Sequence, residues 1–319
     1  MAITQIIFPL VVICLFGFIT AKRNWLSREQ LTGLNKFIFY FVIPTFLFEK
    51  MATTDIAGQF DIRYFLAFYL PLLVIFTIGI FANYFFHNKH KGQLGASAVY
   101  SLGACYSNTI IVGLPVLLAA IGEHVISVVL LIITFHSALL FTITNILCIR
   151  GRDKSQEDSQ STKRDFLQRL GQQTLYNPVV LSISLGIVSH FLPFQIPELV
   201  FDTLSLFGQP AIPSALFLLG TSLAYYRVRQ ERFFISFATM TKLVIFPFFV
   251  WLTTQYVFTL PKDVSTTLVV LSASPTGVYA YLFAKLQNVH DDTVAGTVVA
   301  STLTCVITIP LWLQFMANS

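Results

Sequence analysis

Ile43-Pro44-Thr45-Phe46-Leu47-Phe48 recurs as Ile212-Pro213-Ser214-Ala215-Leu216-Phe217, 169 residues further along the chain. The same offset carries Phe8-Pro9-Leu10-Val11-Val12 onto Asn177-Pro178-Val179-Val180-Leu181, and Gly17-Phe18-Ile19 onto Gly186-Ile187-Val188. Three Pro or Gly pairs in one gapless register point to an internal duplication. Each copy is strongly apolar. A duplicated chain with several membrane spans reads as a transporter whose site lies between the repeats.

Composition supports a membrane protein. The 319 residues are 55% hydrophobic and only 11% charged, where a soluble domain carries about 25% charged residues. Mean hydropathy is +0.73. Cys14, Cys105, Cys148 and Cys305 lie inside apolar runs with no metal-ligand spacing, so they read as small packing residues. The net charge of +5 is a topology signal here and does not indicate nucleic-acid binding. The N-terminal apolar run precedes its basic residues Lys22 and Arg23, the reverse of a signal peptide, and is expected to be a retained first span.

A span needs about 20 mostly apolar residues. Ten candidates follow at 4–21, 32–51, 62–86, 95–120, 124–149, 176–192, 199–225, 232–259, 264–286 and 292–315. The long polar stretch at 150–173 separates them, giving a first five-span repeat (1–149), a linker (150–175) and a second five-span repeat (176–319). Five is odd, so the second repeat enters the bilayer from the opposite side and the repeats are inverted. Loops after spans 1, 3, 5, 7 and 9 hold 15 basic residues: Lys22, Arg23, Arg28, Lys89, Lys91, Arg150, Arg152, Lys154, Lys163, Arg164, Arg169, Arg227, Arg229, Arg232 and Lys285. The other side holds only Lys50, Arg63 and Lys262. The positive-inside rule then puts the linker in the cytoplasm and both termini outside, in the inner or plasma membrane.

Two spans carry helix-breaking residues at mid-depth. Span 4 contains Tyr106-Ser107-Asn108-Thr109-Ile110-Ile111-Val112-Gly113-Leu114-Pro115, and span 9 contains Ser272-Ala273-Ser274-Pro275-Thr276-Gly277-Val278-Tyr279. Backbone groups freed at that depth survive only inside protein or against water. An offset of 168 sets Ser107 on Pro275 and Asn108 on Thr276, so the breaks occupy matching places in the repeats. Matched breaks are the best sequence pointer to a transport site, and half-helix N-termini there suit an anion.

Other polar residues carry weaker signals. Lys242, well inside span 8, is either functional or a snorkelling side chain. Lys36 reads as snorkelling. His136 in span 5 either lines the cavity or is a satisfied interior histidine. Glu49, Lys50, Asp202, Asp291 and Asp292 fall at span ends. There is no Walker A loop, no HExxH pair and no nucleophile–base set within the spans, so passage suits the chain better than chemistry, and no cofactor or resident metal is expected.

These residues resemble a known family. Ser107-Asn108-Thr109-Ile110-Ile111-Val112-Gly113-Leu114-Pro115-Val116-Leu117 is similar to the span-4 signature of the auxin efflux carrier family, roughly P-N-T-L-V-M-G-I-P-L-L. Phe283-Ala284-Lys285-Leu286-Gln287-Asn288-Val289-His290-Asp291-Asp292 resembles that family's stretch after span 9. Leu34-Asn35-Lys36-Phe37 with Pro44 resembles its span-2 pattern, and Lys242 with Pro247 looks like span 8 of the malonate-transporter-like bacterial members. The resemblance covers the whole chain except the linker, which is of the short type. It departs at Ser107, where many members carry Pro.

The resemblance implies an all-α membrane carrier with ten helices in inverted repeats, close to the bile-acid symporter fold, with helices 4 and 9 crossing at the site. It further implies elevator-type alternating access and small organic anions as substrates, auxin-like or malonate-like carboxylates, with Asn108 facing the carboxylate. The expected site is Asn108, Thr109, Gly113 and Pro115 from span 4, Pro275, Thr276, Gly277 and Tyr279 from span 9, with Lys242 and His136 beside them. Scarce mid-span carboxylates favour potential-driven uniport, while coupling to H+ or Na+ and a homodimeric assembly stay open. The rival classes are a non-transporting receptor or sensor for a carboxylate on the same fold, an intramembrane enzyme and a channel.

Overall fold

The computed structural model describes residues 3–53, 61–87, 92–151, 178–189, 196–224 and 231–318. The linker beyond Gly151, Asn177, the ends of the sixth predicted span, and Lys89, Lys91, Arg227 and Arg229 lie outside the described residues. Among those described, the chain is all-helical. Its single extended pairing is an isolated bridge between Ser107 and Thr276.

In chain order the helices are α1 (Ile3–Lys22), α2 (Arg28–Phe37), α3 (Ile43–Thr53), α4 (Ile62–Phe86), α5 (Leu94–Cys105), α6 (Leu114–Ala120) and α7 (Ile126–Arg150). There follow α8 (Pro178–Ser189), α9 (Glu198–Gly208), α10 (Ala211–Leu223), α11 (Arg232–Met240), α12 (Phe246–Leu252), α13 (Lys262–Ala273), α14 (Val278–Gln287) and α15 (Asp291–Asn318). Six runs are long and apolar enough to cross a bilayer: Arg28–Thr53, Ile62–Phe86, Glu123–Arg150, Glu198–Leu223, Arg232–Val257 and Asp291–Asn318. Phe8–Lys22, Leu94–Cys105 and Thr109–Ala120 are shorter apolar helices. Large apolar side chains point outward, Phe86 at 74% and Leu199 at 76% exposure. Such a surface fits lipid and not water.

Proline shapes these long runs in a repeated way. π-helical turns at Ile38–Val42, Thr109–Gly113 and Thr241–Ile245 each end two residues before a proline: Pro44, Pro115 and Pro247. A proline ring clashes with the carbonyl four residues back, and the wider turn moves that carbonyl aside without ending the helix. Two carbonyls four residues before a proline, one at a π-turn and one inside α4, accept from side chains. Leu243 O, four before Pro247, accepts from the Trp312 indole at 2.9 Å, and Ala67 O, four before Pro71, accepts from Thr253 Oγ1 at 2.7 Å. Pro115 therefore widens its helix and does not break it.

The chain forms two compact units, residues 1–7, 61–158 and 226–319 in the first and 8–60 with 159–225 in the second. In the second unit, α1 meets α10 and α8 meets α3 through glycines. A Cβ on Gly17 would collide with Phe217 O, and one on Gly186 would stand 3.1 Å from Phe48 O. Gly17 and Gly186 are 169 apart, as are Phe48 and Phe217, so the two contacts interchange under that offset.

In the first unit, α4 packs along α5, and Tyr100, Ala104 and Ala238 form a buried cluster with Phe234 and Phe237 against it. Tyr100 Oη donates to Phe234 O at 2.9 Å. Gly79 lies against Ser101, whose hydroxyl donates to Phe76 O.

Candidate functional site

The site is built where two helices stop at mid-length. α5 ends at Cys105, residues 106–108 run extended, and a helix resumes at Thr109. α13 ends at Ala273 and α14 begins at Val278. The extended segments lie antiparallel across each other: Asn108 N donates to Pro275 O at 2.7 Å, and Gly277 N to Tyr106 O at 3.0 Å. Pro275 needs no donor in this pairing because only its carbonyl is used. Ser107 faces Thr276, a spacing of 169, so the 168 offset expected between the breaks is one residue short. The crossing keeps the 169-residue spacing of the Pro and Gly pairs. Tyr106 and Pro275 are 169 apart, as are Asn108 and Gly277, so the two hydrogen bonds interchange under that offset.

Side chains from neighbouring helices take up the freed backbone groups. Ser107 N–H donates to His136 Nε2 from α7 at 2.9 Å, and Thr276 N–H to Ser301 Oγ from α15 at 3.0 Å. Thr276 Oγ1 donates to Gly103 O at 2.9 Å. The equivalent carbonyl 169 residues on, Ser272 O, accepts instead from Lys242 Nζ. Lys242 is fully buried, with Nζ 5.1 Å from the centre of the Phe246 ring. The Lys242 amine thus donates at the C-terminal carbonyls of α13. The side chain reaches inward to protein and does not snorkel to a membrane face.

Three of the buried polar atoms left without partners cluster at the crossing. Ser107 Oγ, Asn108 Nδ2 and His136 Nδ1 are buried with no hydrogen-bond partner among the described residues. Asn108 Oδ1 is used, capping the next turn by accepting from Ile111 N at 3.3 Å. With Nε2 of His136 accepting from Ser107, its Nδ1 carries the proton, so it and Asn108 Nδ2 are donors. Leaving a buried donor unmade costs about 1–3 kcal/mol, and buried groups left so are rare enough to need an explanation.

Of the expected site residues, Asn108, Thr109, Pro275, Thr276, Gly277 and His136 come together at the crossing. Thr109 opens the resumed helix. Gly113 is a packing position: a Cβ there would lie 2.8 Å from Ser274 Oγ and 2.9 Å from Leu271 Cδ2. Pro115 follows it at the start of α6, and Tyr279 lies half-buried in the first turn of α14. Lys242 touches the crossing through Ser272. Sequence reading missed Ser301 and Tyr106. Tyr106 Oη is 2.7 Å from Ser137 Oγ, and its ring stacks on Phe141 with centroids 5.2 Å apart. The sequence signal for Ser301 was a small hydroxyl at mid-span, which α15 offers several times over.

Apolar runs long enough to span a bilayer, with two helices interrupted inside protein, define a multi-pass membrane protein. The sequence profile of the membrane transport protein family matches residues 2–313. The chain belongs to that family, which includes the auxin efflux carriers. It is 23% identical over 311 residues to a Rhizobium meliloti protein named "Putative malonate transporter", covering 96% of this chain and 93% of the relative. It is 22% identical over 340 residues to auxin efflux carrier component 8 of Arabidopsis thaliana, covering 91% of each. A further relative, the lysosomal cholesterol signaling protein of Mus musculus, is 22% identical over 258 residues, 77% of this chain but 29% of the mouse protein.

Proposed function

We propose that this protein is a secondary transporter of small organic anions that binds a carboxylate at the crossing of its two broken helices. The observation that carries the reading is the set of buried donors without partners, Asn108 Nδ2 and His136 Nδ1 with the Ser107 hydroxyl beside them. A carboxylate supplies acceptors and no donors, and the first turns of the two resumed helices add the positive ends of their dipoles. The names of the malonate and auxin relatives point to the same substrate class. Lys242 holds Ser272 O in place behind the site.

The ten-span inverted-repeat architecture belongs to this proposal. The interchange of Gly17–Phe217 with Gly186–Phe48, and the pairing of Ser107 with Thr276, support it. So does the distribution of basic residues, with linker cytoplasmic and termini outside. The compact unit carrying the crossing would move as the elevator, and the two repeats each contribute helices to both compact units.

The test is a panel of aliphatic and aromatic mono- and dicarboxylates screened for thermal stabilisation of the purified protein, with hits assayed in proteoliposomes under an imposed potential. Saturable, potential-dependent flux that disappears in Asn108→Ala at unchanged folding is the expected result. Wild-type flux in that variant would overturn the site. The similarity to a mouse signalling protein favours one second reading, a receptor on the same fold. Ligand stabilisation without flux would select it.

A further inference from the structure

Away from the crossing, three side chains from three separate loops of the first compact unit converge: His87 just after α4, Glu231 just before α11 and His290 just before α15. Each offers one ligand atom, and the three atoms lie within 4.8 Å of one another. His87 Nε2 is 3.0 Å from Glu231 Oε1, and His290 Nδ1 is 3.9 Å from Glu231 Oε2. Both imidazoles are buried, at 3% and 6% exposure, and Glu231 is half-buried. We propose that His87, Glu231 and His290 form a binding site for a divalent transition-metal ion of the zinc type.

The donor set suits such an ion. Two imidazoles and one carboxylate are a zinc triad, and a partly exposed carboxylate leaves room for water as the fourth ligand. Metal bonds of about 2.0–2.1 Å place tetrahedral ligand atoms roughly 3.3–3.5 Å apart; the His87–Glu231 Oε1 spacing of 3.0 Å is within about half an ångström of that, and no spacing among the three ligand atoms exceeds 4.8 Å. The backbone is committed to the site. Glu231 and His290 adopt left-handed φ angles of 58° and 54° without being glycine. Such strain persists where surrounding structure fixes it and gathers at ligand clamps.

A supporting layer is already present. Thr293 Oγ1 donates to Glu231 Oε2. Asn83, fully buried in α4, has Nδ2 3.1 Å from His290 Nε2, and its Oδ1 accepts from Ser97 Oγ at 3.1 Å. Drawn so, His290 holds its proton on Nδ1, facing Glu231. A half-turn of the Asn83 amide reverses this while keeping every partner. Oδ1 then accepts from Nε2–H, Nδ1 presents its lone pair to the ion, and Nδ2 donates to Ser97 Oγ, whose own proton goes to Gln93 O at 2.8 Å. That is the outer-shell arrangement that orients metal-binding histidines. The ring of His87 rests on Phe234, with centroids 4.5 Å apart, and Tyr100 packs near His290 at 5.8 Å, so the rings cannot turn away. A bound ion would tie the end of α4 to the starts of α11 and α15.

The full-length protein in detergent, stripped with chelator, is titrated with Zn2+ alone and separately with Co2+. The expected result is one saturable site per chain, a melting temperature that rises with the logarithm of Zn2+ concentration, and visible Co2+ absorption bands of tetrahedral intensity. Glu231→Gln, close in shape, should abolish all three. Asn83→Ala should weaken affinity roughly 10–100-fold. The wild-type titration needs no variant to fold: no Zn2+ stabilisation and no Co2+ bands would overturn the proposal. So would binding that persists at full strength in both Glu231→Gln and His290→Ala, which would place the ion elsewhere.

Discussion

In Gly277→Ala the new methyl group meets a ring that cannot retreat. An ideal Cβ on Gly277 lies 2.6 Å from Cε1 and 2.8 Å from Cδ1 of Tyr106. Carbon atoms pack at about 3.5–4.0 Å, so the ring must move by roughly 1 Å. Its hydroxyl is tied to Ser137, and its faces are occupied by Phe141 and by His136, whose centroid is 5.0 Å away. The backbone at Gly277, with φ −76° and ψ 144°, is open to any residue, so the whole cost is steric. Overpacking of this kind costs about 1–3 kcal/mol, a fall in melting temperature of roughly 1–5 °C for a chain of this length. Thermal unfolding in detergent reads the stability, and carboxylate flux in proteoliposomes reads the crossing. A double-mutant cycle with Tyr106→Ala should show a coupling of about 0.5–3 kcal/mol, because truncating the ring removes the clash. Gly33→Ala is the control, since nothing lies within 4 Å of its Cβ. If Gly277→Ala melts and transports like wild type, or if its cost is simply additive with that of Tyr106→Ala, the reasoning fails.

Other substitutions test separate links. Thr253→Val leaves Ala67 O without its donor beside Pro71 and should cost about 1–3 kcal/mol of stability; an unchanged melting temperature would show that another donor replaces it. Trp312→Phe strips Leu243 O in the turn that carries Lys242, with an expected loss of about 1 kcal/mol and more where the site is half assembled. Ser107→Pro, the residue common in the resembling family, removes the N–H given to His136; wild-type flux would show that this hydrogen bond does not set the site. Ser301→Ala should lower stability by about 1–3 kcal/mol by stranding the Thr276 N–H, read by the same melting assay.

Much of the fold was legible because lipid allows few alternatives. The predicted spans at 62–86 and 292–315 coincide with α4 and fall within α15, since long apolar runs bounded by polar residues have little choice. Both helix breaks were visible from Ser, Asn, Gly and Pro at mid-span. Their register was not, because Pro275 drew the match onto itself although the residue opposite Ser107 is Thr276. Proline alone was an ambiguous sign: Pro275 sits in a true break, whereas Pro44, Pro115 and Pro247 follow π-turns inside continuing runs. The three residues of the proposed metal site are far apart in sequence, and no spacing rule brings His87, Glu231 and His290 together. Lys242 was legible as a buried charge, but its partner is a backbone carbonyl, which no residue type announces.

The 169-residue offset relates two carbonyls at the crossing, Gly103 O and Ser272 O, and two central hydroxyls, Ser107 and Thr276. Left symmetric, each hydroxyl would close on the opposite carbonyl and the crossing would satisfy itself. Thr276 does so. Lys242 takes the other carbonyl, and Leu73, 169 residues earlier, offers no counterpart. Ser107 Oγ makes no matching bond to Ser272 O among the described residues, beside Asn108 and His136 whose donors are also unmet there. Lys242, which has no counterpart at Leu73, thus holds the end of one interrupted helix, while polar capacity stays unspent on the other side of the crossing. A perfectly symmetric crossing would bind its own backbone; the asymmetric one retains the donors that the proposed carboxylate site requires.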